Sequence, residues 1–448
     1  MKYKAISGPV PHRFDLTLNF ALVRFRSLMF CIICRHGLIG YGAMKGYTGI
    51  LANGQAIHYV DKKRWLWILS VIYPLQPFIA IWLHSRSGAE AWFILPFLSN
   101  YLIAPVIDWL IGEDSNNPPE EVVMQLDQDH YYRRLTYIVM PLHFISLIGA
   151  TWYATAQPLS WWAFLLLAAF TGIIAGLAIN TGHELGHKNS RLEKLLAKIV
   201  LAVPAYGHFT LEHNRGHHKH VATHRDPASA RMGESIYRFA LREIPGAFKG
   251  GWAIEKERLT SRGKSIWHPN NQILQSYALT AVLSLTMLLV LGWKVIPFLI
   301  IHNLFAYWQL TSANYIEHYG LLRNMGNDGK PERCKPHHSW NSNHIFSNLV
   351  LFHLERHSDH HTHPLRRYQS LRHFDALPQL PNGYFGMYVL AYLPWLWFRV
   401  MDKRLMALPH VAGDLDNVNI DPAAHPSLFL KWGRDQMTEP TYTDLPGI

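Results

Sequence analysis

The sequence predicts an all-α integral membrane protein: six transmembrane helices with a cytoplasmic helical cap carrying a histidine-rich site. Three observations predict it. Of the 448 residues, 49% are apolar, 13% aromatic and only 16% charged. That charge is segregated, because apolar runs of about 20 residues, the length that crosses a bilayer, carry almost none of it. Lys and Arg collect in the polar stretches that alternate turns would leave on the cytoplasmic side. A chain this long would otherwise suggest two or three soluble domains, and the segregation excludes them.

Residues 1–59 are an N-terminal extension whose role stays open. The stretch 20–44 is apolar but interrupted by Arg24, Arg26, Arg35 and His36, so it offers no uncharged span. A signal peptide or an interfacial anchor is compatible with it, and Met44 is an alternative start. Residues 60–181 hold the first four spans, at about 65–82, 91–111, 135–156 and 161–181, with an inner loop at 112–134. Residues 182–271 form a polar cytoplasmic segment. A fifth and a sixth span follow at about 273–291 and 295–313 within 272–315, and 316–448 is a second polar segment. Pro74, Pro77, Pro96 and Pro105 fall inside spans, where neighbouring helices can re-satisfy freed backbone groups. Gly172 and Gly176 read as small-residue helix packing rather than a dimer motif. Lys62, Lys63 and Arg64 before the first span keep the amino terminus inside, and six crossings then leave both polar segments on the same, inner face. Both polar segments read as helix and turn, with no strand-rich block. The net charge of +11 is accounted for by that inner face and requires no nucleic acid.

Cysteine usage excludes a disulfide framework, since there are three: Cys31, Cys34 and Cys334. Histidine usage is the informative feature. Four clusters lie just beyond apolar spans: His183-Glu-Leu-Gly-His187, His213-Asn-Arg-Gly-His217-His218, Glu317-His318, and His357-Ser-Asp-His360-His361. Residues four apart share a helix face, so His183 pairs with His187, His213 with His217, and His357 with His361. His218 and His360 would then point to a second place. Nine imidazoles are more than one ion can use, and two ions would receive four or five each. Imidazole alone does not name the metal, but that number leaves open positions on six-coordinate iron and suits O₂ chemistry. Metal-bound histidines commonly donate their other N–H to a carboxylate, and Glu184, Glu212, Asp226, Glu317 and Asp359 are the embedded candidates. The remaining histidines, His208, His302, His337, His338 and His353 among them, are not needed as ligands. A rival reading takes His183-Glu184-x-x-His187 as a membrane zinc metalloprotease signature, and it leaves six histidines without work.

Asn180–Lys188, Glu212–His218, the box Asn314-Tyr-Ile-Glu-His-Tyr-Gly320 and the stretch 351–361 resemble the histidine boxes of membrane-bound alkane 1-monooxygenases. These are non-haem di-iron hydroxylases related to membrane desaturases. The similarity runs from about Val60 to about residue 420 and includes Gly112-Glu-Asp, Asp226-Pro-Ala-Ser and His337-His-Ser-Trp-Asn. The resemblance implies two Fe ions held by His183, His187, His213, His217, His218, His318, His357, His360 and His361. It implies hydroxylation of an n-alkane at its terminal carbon with O₂, and electrons from rubredoxin fed by a rubredoxin reductase. It also implies a bacterial inner membrane with the active site on the cytoplasmic side. The chain itself carries no nucleotide fingerprint, haem motif or paired C-x-x-C, so the electrons must come from a partner, and a basic inner face suits an acidic one. A related di-iron enzyme acting on fatty acyl or alkyl-aromatic substrates is the alternative.

Overall fold

The computed structural model describes residues 45–433. Cys31, Cys34, the apolar stretch 20–44 and the alternative start at Met44 lie outside the described residues. The described chain opens with a hairpin: β1 (Gly46–Ile50) runs antiparallel to β2 (Ala56–Val60), from Gly46 opposite Val60 to Ile50 opposite Ala56. No strand was expected there, although the Asn53-Gly54 turn is a hairpin signal, with Gly54 at φ +81°. Tyr47 is the buried anchor of β1. Its hydroxyl donates to Asp129 at 2.6 Å, and Arg64 donates to the same carboxylate at 2.8 Å, which ties the hairpin to the membrane helices.

Helix α1 (Arg64–Leu75) bends by 53° into α2 (Pro77–Ser87). Pro74 and Pro77 flank the bend and supply its cause, because neither can donate to the helical ladder. Helix α3 (Glu90–Ile111) begins as a 3₁₀ turn and contains a π-turn at Ser99–Ile103. Then come α4 (His130–Ala156), capped by Asp129, and α5 (Trp161–Gly186), capped by Ser160. Short helix α6 (Arg191–Val200) and long helix α7 (Ile236–Thr260) lie in the first polar segment. Helices α8 (Gln272–Leu291) and α9 (Val295–His318) follow. Four of these, α3, α4, α5 and α8, are long and apolar enough to cross a membrane, and the bent pair α1–α2 makes a fifth if taken as one span. The chain is an integral membrane protein. Helix α9 has 24 residues but is less apolar, because its last turns carry Gln309, Asn314, Glu317 and His318.

Helices α5 and α9 form the central pair. A Cβ on Gly172 would meet the carbonyl oxygen of His302 at 2.2 Å, and one on Gly176 would meet the Gln309 side chain at 2.5 Å. The two glycines therefore serve packing inside the chain. Both helices also run past their expected ends. Helix α5 continues from residue 181 to Gly186, and α9 from residue 313 to His318. The turns that bear His183 and His318 are thus continuations of these two helices and not loops beyond them. After α9 the chain forms α10 (Ile345–Val350), α11 (His357–Thr362), α12 (Tyr384–Ala391) and α13 (Pro394–Met406), packed on an aromatic core that includes Tyr315, Tyr319, Trp340 and Trp397.

Candidate metal centre

All nine boxed histidines converge, in two sets. His183, His187, His213, His218 and His360 form the first; His217, His318, His357 and His361 form the second. Within each set the donor atoms lie within 4.8 Å of one another. The first set has Nε2–Nε2 separations of 2.9 Å (His183 to His360), 3.1 Å (His213 to His218) and 3.2 Å (His218 to His360). In the second, His357 Nε2 stands 3.2 Å from His318 Nε2 and 2.9 Å from His361 Nε2.

Those spacings fit a metal. Bonds of about 2.1 Å from one ion, set at right angles, separate their nitrogens by about 3.0 Å. Hydrogen bonding alone cannot serve the array. In the row His213–His218–His360–His183 each neutral Nε2 carries either one hydrogen or one lone pair and so makes one bond, yet His218 and His360 each face two neighbours. The Nε2 atoms of His187 and His217 are buried with no hydrogen-bond partner at all. A cation inside each set would take every lone pair at once. Burial, and then neighbouring imidazoles, pull His187, His213, His218, His357, His360 and His361 well below the ordinary histidine range, which keeps them neutral and able to bind metal. His217 is the exception. Burial pulls it down as well, but the Asp226 carboxylate outweighs that and raises it.

Local backbone explains the sorting. His183 and His187 share a face of α5, as the four-residue spacing predicts. On α11, His357 and His361 serve the second set while His360 turns to the first, also as expected. The pairing expected of His213 with His217 is corrected. Residues His213–His217 form a π-turn, with the His218 N–H bonded to the His213 carbonyl, so residues five apart come together. His218 therefore joins His213, and His217 goes to the second set with its Nδ1 held 2.9 Å from Asp226 Oδ2. Entry into α11 needs an unusual backbone too: Phe352 and His353 both have φ of 52°, a left-handed conformation that bulky residues seldom adopt.

Both sets border one cavity. It encloses about 670 Å³ of empty space, counting its open side, and its wall includes His183 and His213 of the first set and His357 of the second. Most of the remaining wall is apolar, from Ile173, Ile174, Leu177, Phe209, Leu310, Leu354 and Phe385. Asn100, Asn180, Gln309, Asn314 and Glu317 are among its polar points.

The comparisons agree with this architecture. The fatty acid desaturase family matches residues 159–412, which span every histidine of both sets. Alkane 1-monooxygenase of Ectopseudomonas oleovorans is 53% identical over 379 residues, covering 84% of this chain and 94% of its own length. Alkane 1-monooxygenase 1 of Alcanivorax borkumensis is 53% identical over 376 residues, covering 84% and 92%. The chain belongs to the alkane 1-monooxygenase family. It is an oxidoreductase of the monooxygenase class with a histidine-rich, non-haem metal centre. A more distant relative, the xylene/toluene monooxygenase hydroxylase component of Pseudomonas putida, is 26% identical over 249 residues, 55% of this chain and 65% of its own.

Within this monooxygenase the five embedded carboxylates have different partners. Asp226 holds His217, and it also accepts from the Ser229 hydroxyl at 2.6 Å. Glu317 Oε2 lies 3.4 Å from His357 Nε2. Glu184 pairs with Lys188 at 3.1 Å, so the carboxylate that a protease would use as base is engaged by a buried ammonium. Asp359 is bound by Arg366 and His363 rather than by a ligand histidine. Glu212 lies beneath Gly216 and Gly250, and burial pushes it up to about 8. One orienting group escaped the sequence reading: His318 Nδ1 donates to the backbone carbonyl of His338 at 3.2 Å. Carbonyls leave no trace in residue type. A third grouping, Glu332, His337 and His338, also brings its polar atoms within 4.8 Å of one another.

Proposed function

We propose that this chain hydroxylates the terminal carbon of n-alkanes, using O₂ with two electrons and two protons to give a primary alcohol and water. In this reading the nine histidines hold two iron ions, five imidazoles on one and four on the other. The observation that carries it is the meeting of both histidine sets on the wall of a single apolar cavity. The related alkane 1-monooxygenases support the same substrate class.

When bound, the irons would supply the activation of O₂. The chain's own residues supply the selection. An alkane has no polar handle, so affinity must come from burying methylenes at about 0.8 kcal/mol each against residues such as Ile173, Leu177 and Phe385. A terminal C–H bond is stronger than the internal ones, so regiochemistry requires that only the chain end reach the histidine-lined wall. Asp226 and the His338 carbonyl fix the ring orientations of His217 and His318. Glu317 adds a buried carboxylate at the border between cavity and second set.

Six crossings, with α9 as the sixth, put both polar segments and the metal centre on the cytoplasmic face of a bacterial inner membrane. Electrons then arrive from a reduced rubredoxin regenerated by its reductase, docked through the basic inner face. The test is metal analysis of the purified chain together with turnover on octane or hexadecane, supplied with reduced rubredoxin and ¹⁸O₂. Two irons per chain and ¹⁸O-labelled 1-alcohol are expected. Zinc in place of iron, or turnover only on fatty acyl or alkyl-aromatic substrates, would overturn the reading.

A further inference from the structure

The apolar cavity has a neighbour on the lipid-facing side. A groove of about 720 Å³ lies between α3 and α12, walled by Tyr101, Leu102, Val106 and Val389 among others. Leu102 is 58% exposed and Val106 44% exposed, on a helix apolar enough to cross a membrane. Groove and cavity are separated by very little. Asn100 lines the inner cavity and Tyr101, the next residue, lines the outer groove. Both belong to the π-turn Ser99–Ile103, where the helix departs from its regular ladder. Such turns recur where a helix is adapted for function.

The wall between the two spaces is closed at Tyr101 by polar contacts and ring packing. Gln309 of α9, which lines the cavity, donates from Nε2 to the Tyr101 hydroxyl at 2.9 Å. The Tyr101 ring stands edge-on to Tyr392, with centroids 5.9 Å apart. Asn100 is held more firmly. It accepts from the Tyr73 hydroxyl at 3.0 Å and donates to the Pro96 carbonyl at 2.9 Å and to Gln76 at 3.0 Å. One side of the partition is therefore anchored at three points, and the other is a side chain that a change of rotamer can swing aside.

We propose that this groove is the entrance by which an n-alkyl chain leaves the bilayer, and that the Tyr101–Gln309 contact is its latch. The occupant follows from chemistry: the groove is apolar, faces lipid and adjoins an apolar cavity, so it takes an unbranched hydrocarbon already dissolved in the membrane. A polar substrate would gain nothing from this route. The proposal rests on the alkane reading for the identity of the chain, but its test does not depend on turnover.

The test uses the full chain in membranes, with Cys31, Cys34 and Cys334 replaced by Ser and a single cysteine placed at Leu102→Cys. A bulky maleimide is attached after folding, so the block acts on native protein. An n-alkane bearing a terminal diazirine is then photolysed and its adducts are mapped by mass spectrometry. Adducts on the cavity residues Leu177 and Leu354 are expected without the block and should fall at least tenfold with it. The same block at Leu289→Cys, a lipid-facing position on α8, should leave them unchanged. Tyr101→Phe removes the latch bond while keeping the ring, and cavity labelling should become faster at the same final yield. Cavity labelling that persists behind the Leu102→Cys block, or that is equally lost with Leu289→Cys, overturns the entrance. If labelling behaves as expected but no alcohol forms with iron and reduced rubredoxin, the function reading fails and the entrance stands.

Discussion

The two inner histidine sets and the outer grouping of Glu332, His337 and His338 satisfy the same test of proximity, yet only the inner sets have the chemistry of a metal centre. In the inner sets the atoms that face one another are Nε2 atoms, with partners left over. In the outer grouping one ring nitrogen of His338 and the Glu332 carboxylate are already engaged. The Lys335 backbone N–H donates to His338 Nδ1 at 2.9 Å, which fixes the neutral ring with its proton on Nε2, facing Glu332 Oε1 at 3.5 Å. Lys335 also forms an ion pair with the Glu332 carboxylate. To bind an ion there, His338 would have to give up its backbone bond and Glu332 its ammonium. Tautomer and pairing, more than distance, separate a metal site from a polar cluster.

The strongest way to break that contrast is to remove one ligand from each set. His360→Ala and His217→Ala are expected to lose bound iron and to reduce alcohol formation to background, measured by metal analysis and product chromatography. Full iron content in both variants would dissolve the assignment of the sets. Next in size is Asp226→Asn. It keeps shape but weakens the acceptor for His217 Nδ1, and loss of such an orienting carboxylate typically costs about 10–100-fold in metal affinity. Chelator titration should show the metal of the second set leaving first, with that of the first set retained.

These residues also show what was legible in the sequence. The sorting of His357, His360 and His361 followed from helical spacing, because α11 is a regular helix over that stretch, whereas His318, alone after its helix, joined the set through the family resemblance. The pairing of His213 failed because a π-turn is an exception to that spacing, with no signature in Gly216 or its neighbours strong enough to forecast it. The apolar run of α5 was plain, but its continuation to Gly186 depends on Gly182 packing against Leu201 and Gly186 against Thr210, contacts with later segments that the run itself does not encode. The hairpin was not legible because its strands are five residues each and the alternation in β1, anchored by buried Tyr47, is faint beside the long apolar runs. Composition identified a membrane protein; it did not show that Asn100 and Tyr101 face different cavities, which depends on the π-turn.

A third measurement sharpens the contrast through pH. In metal-free protein, His187, His213, His218, His357, His360 and His361 have folded-state values held down by burial, against about 6.5 in the unfolded chain. Below pH 6.5 or so the unfolded state therefore binds more protons than the folded state, and stability falls as pH falls. The raised value of His217 works the other way, but it is one ring against six. With metal bound, those six rings cannot take a proton without releasing the ion. The Tm of metal-free protein should drop between pH 7.5 and 5.5 while that of loaded protein holds to a lower pH. Parallel curves would mean that the inner histidines do not bind the metal.

The smallest expected effect belongs to the outer grouping, and its smallness is informative. Glu332 and His337 are partly exposed and are held by an ion pair with Lys335 and by a ring contact with His410 at 4.4 Å. Exposed pairs of this kind contribute about 0–1 kcal/mol. Glu332→Gln and His337→Ala should leave iron per chain unchanged and shift Tm by no more than a few degrees. His338 is a less suitable target, because its backbone carbonyl orients His318 and a repacked loop would disturb the second set indirectly. Loss of a metal ion from either Glu332→Gln or His337→Ala would show that the Lys335 contacts give way to coordination, and the criterion separating the two regions would then have to be abandoned.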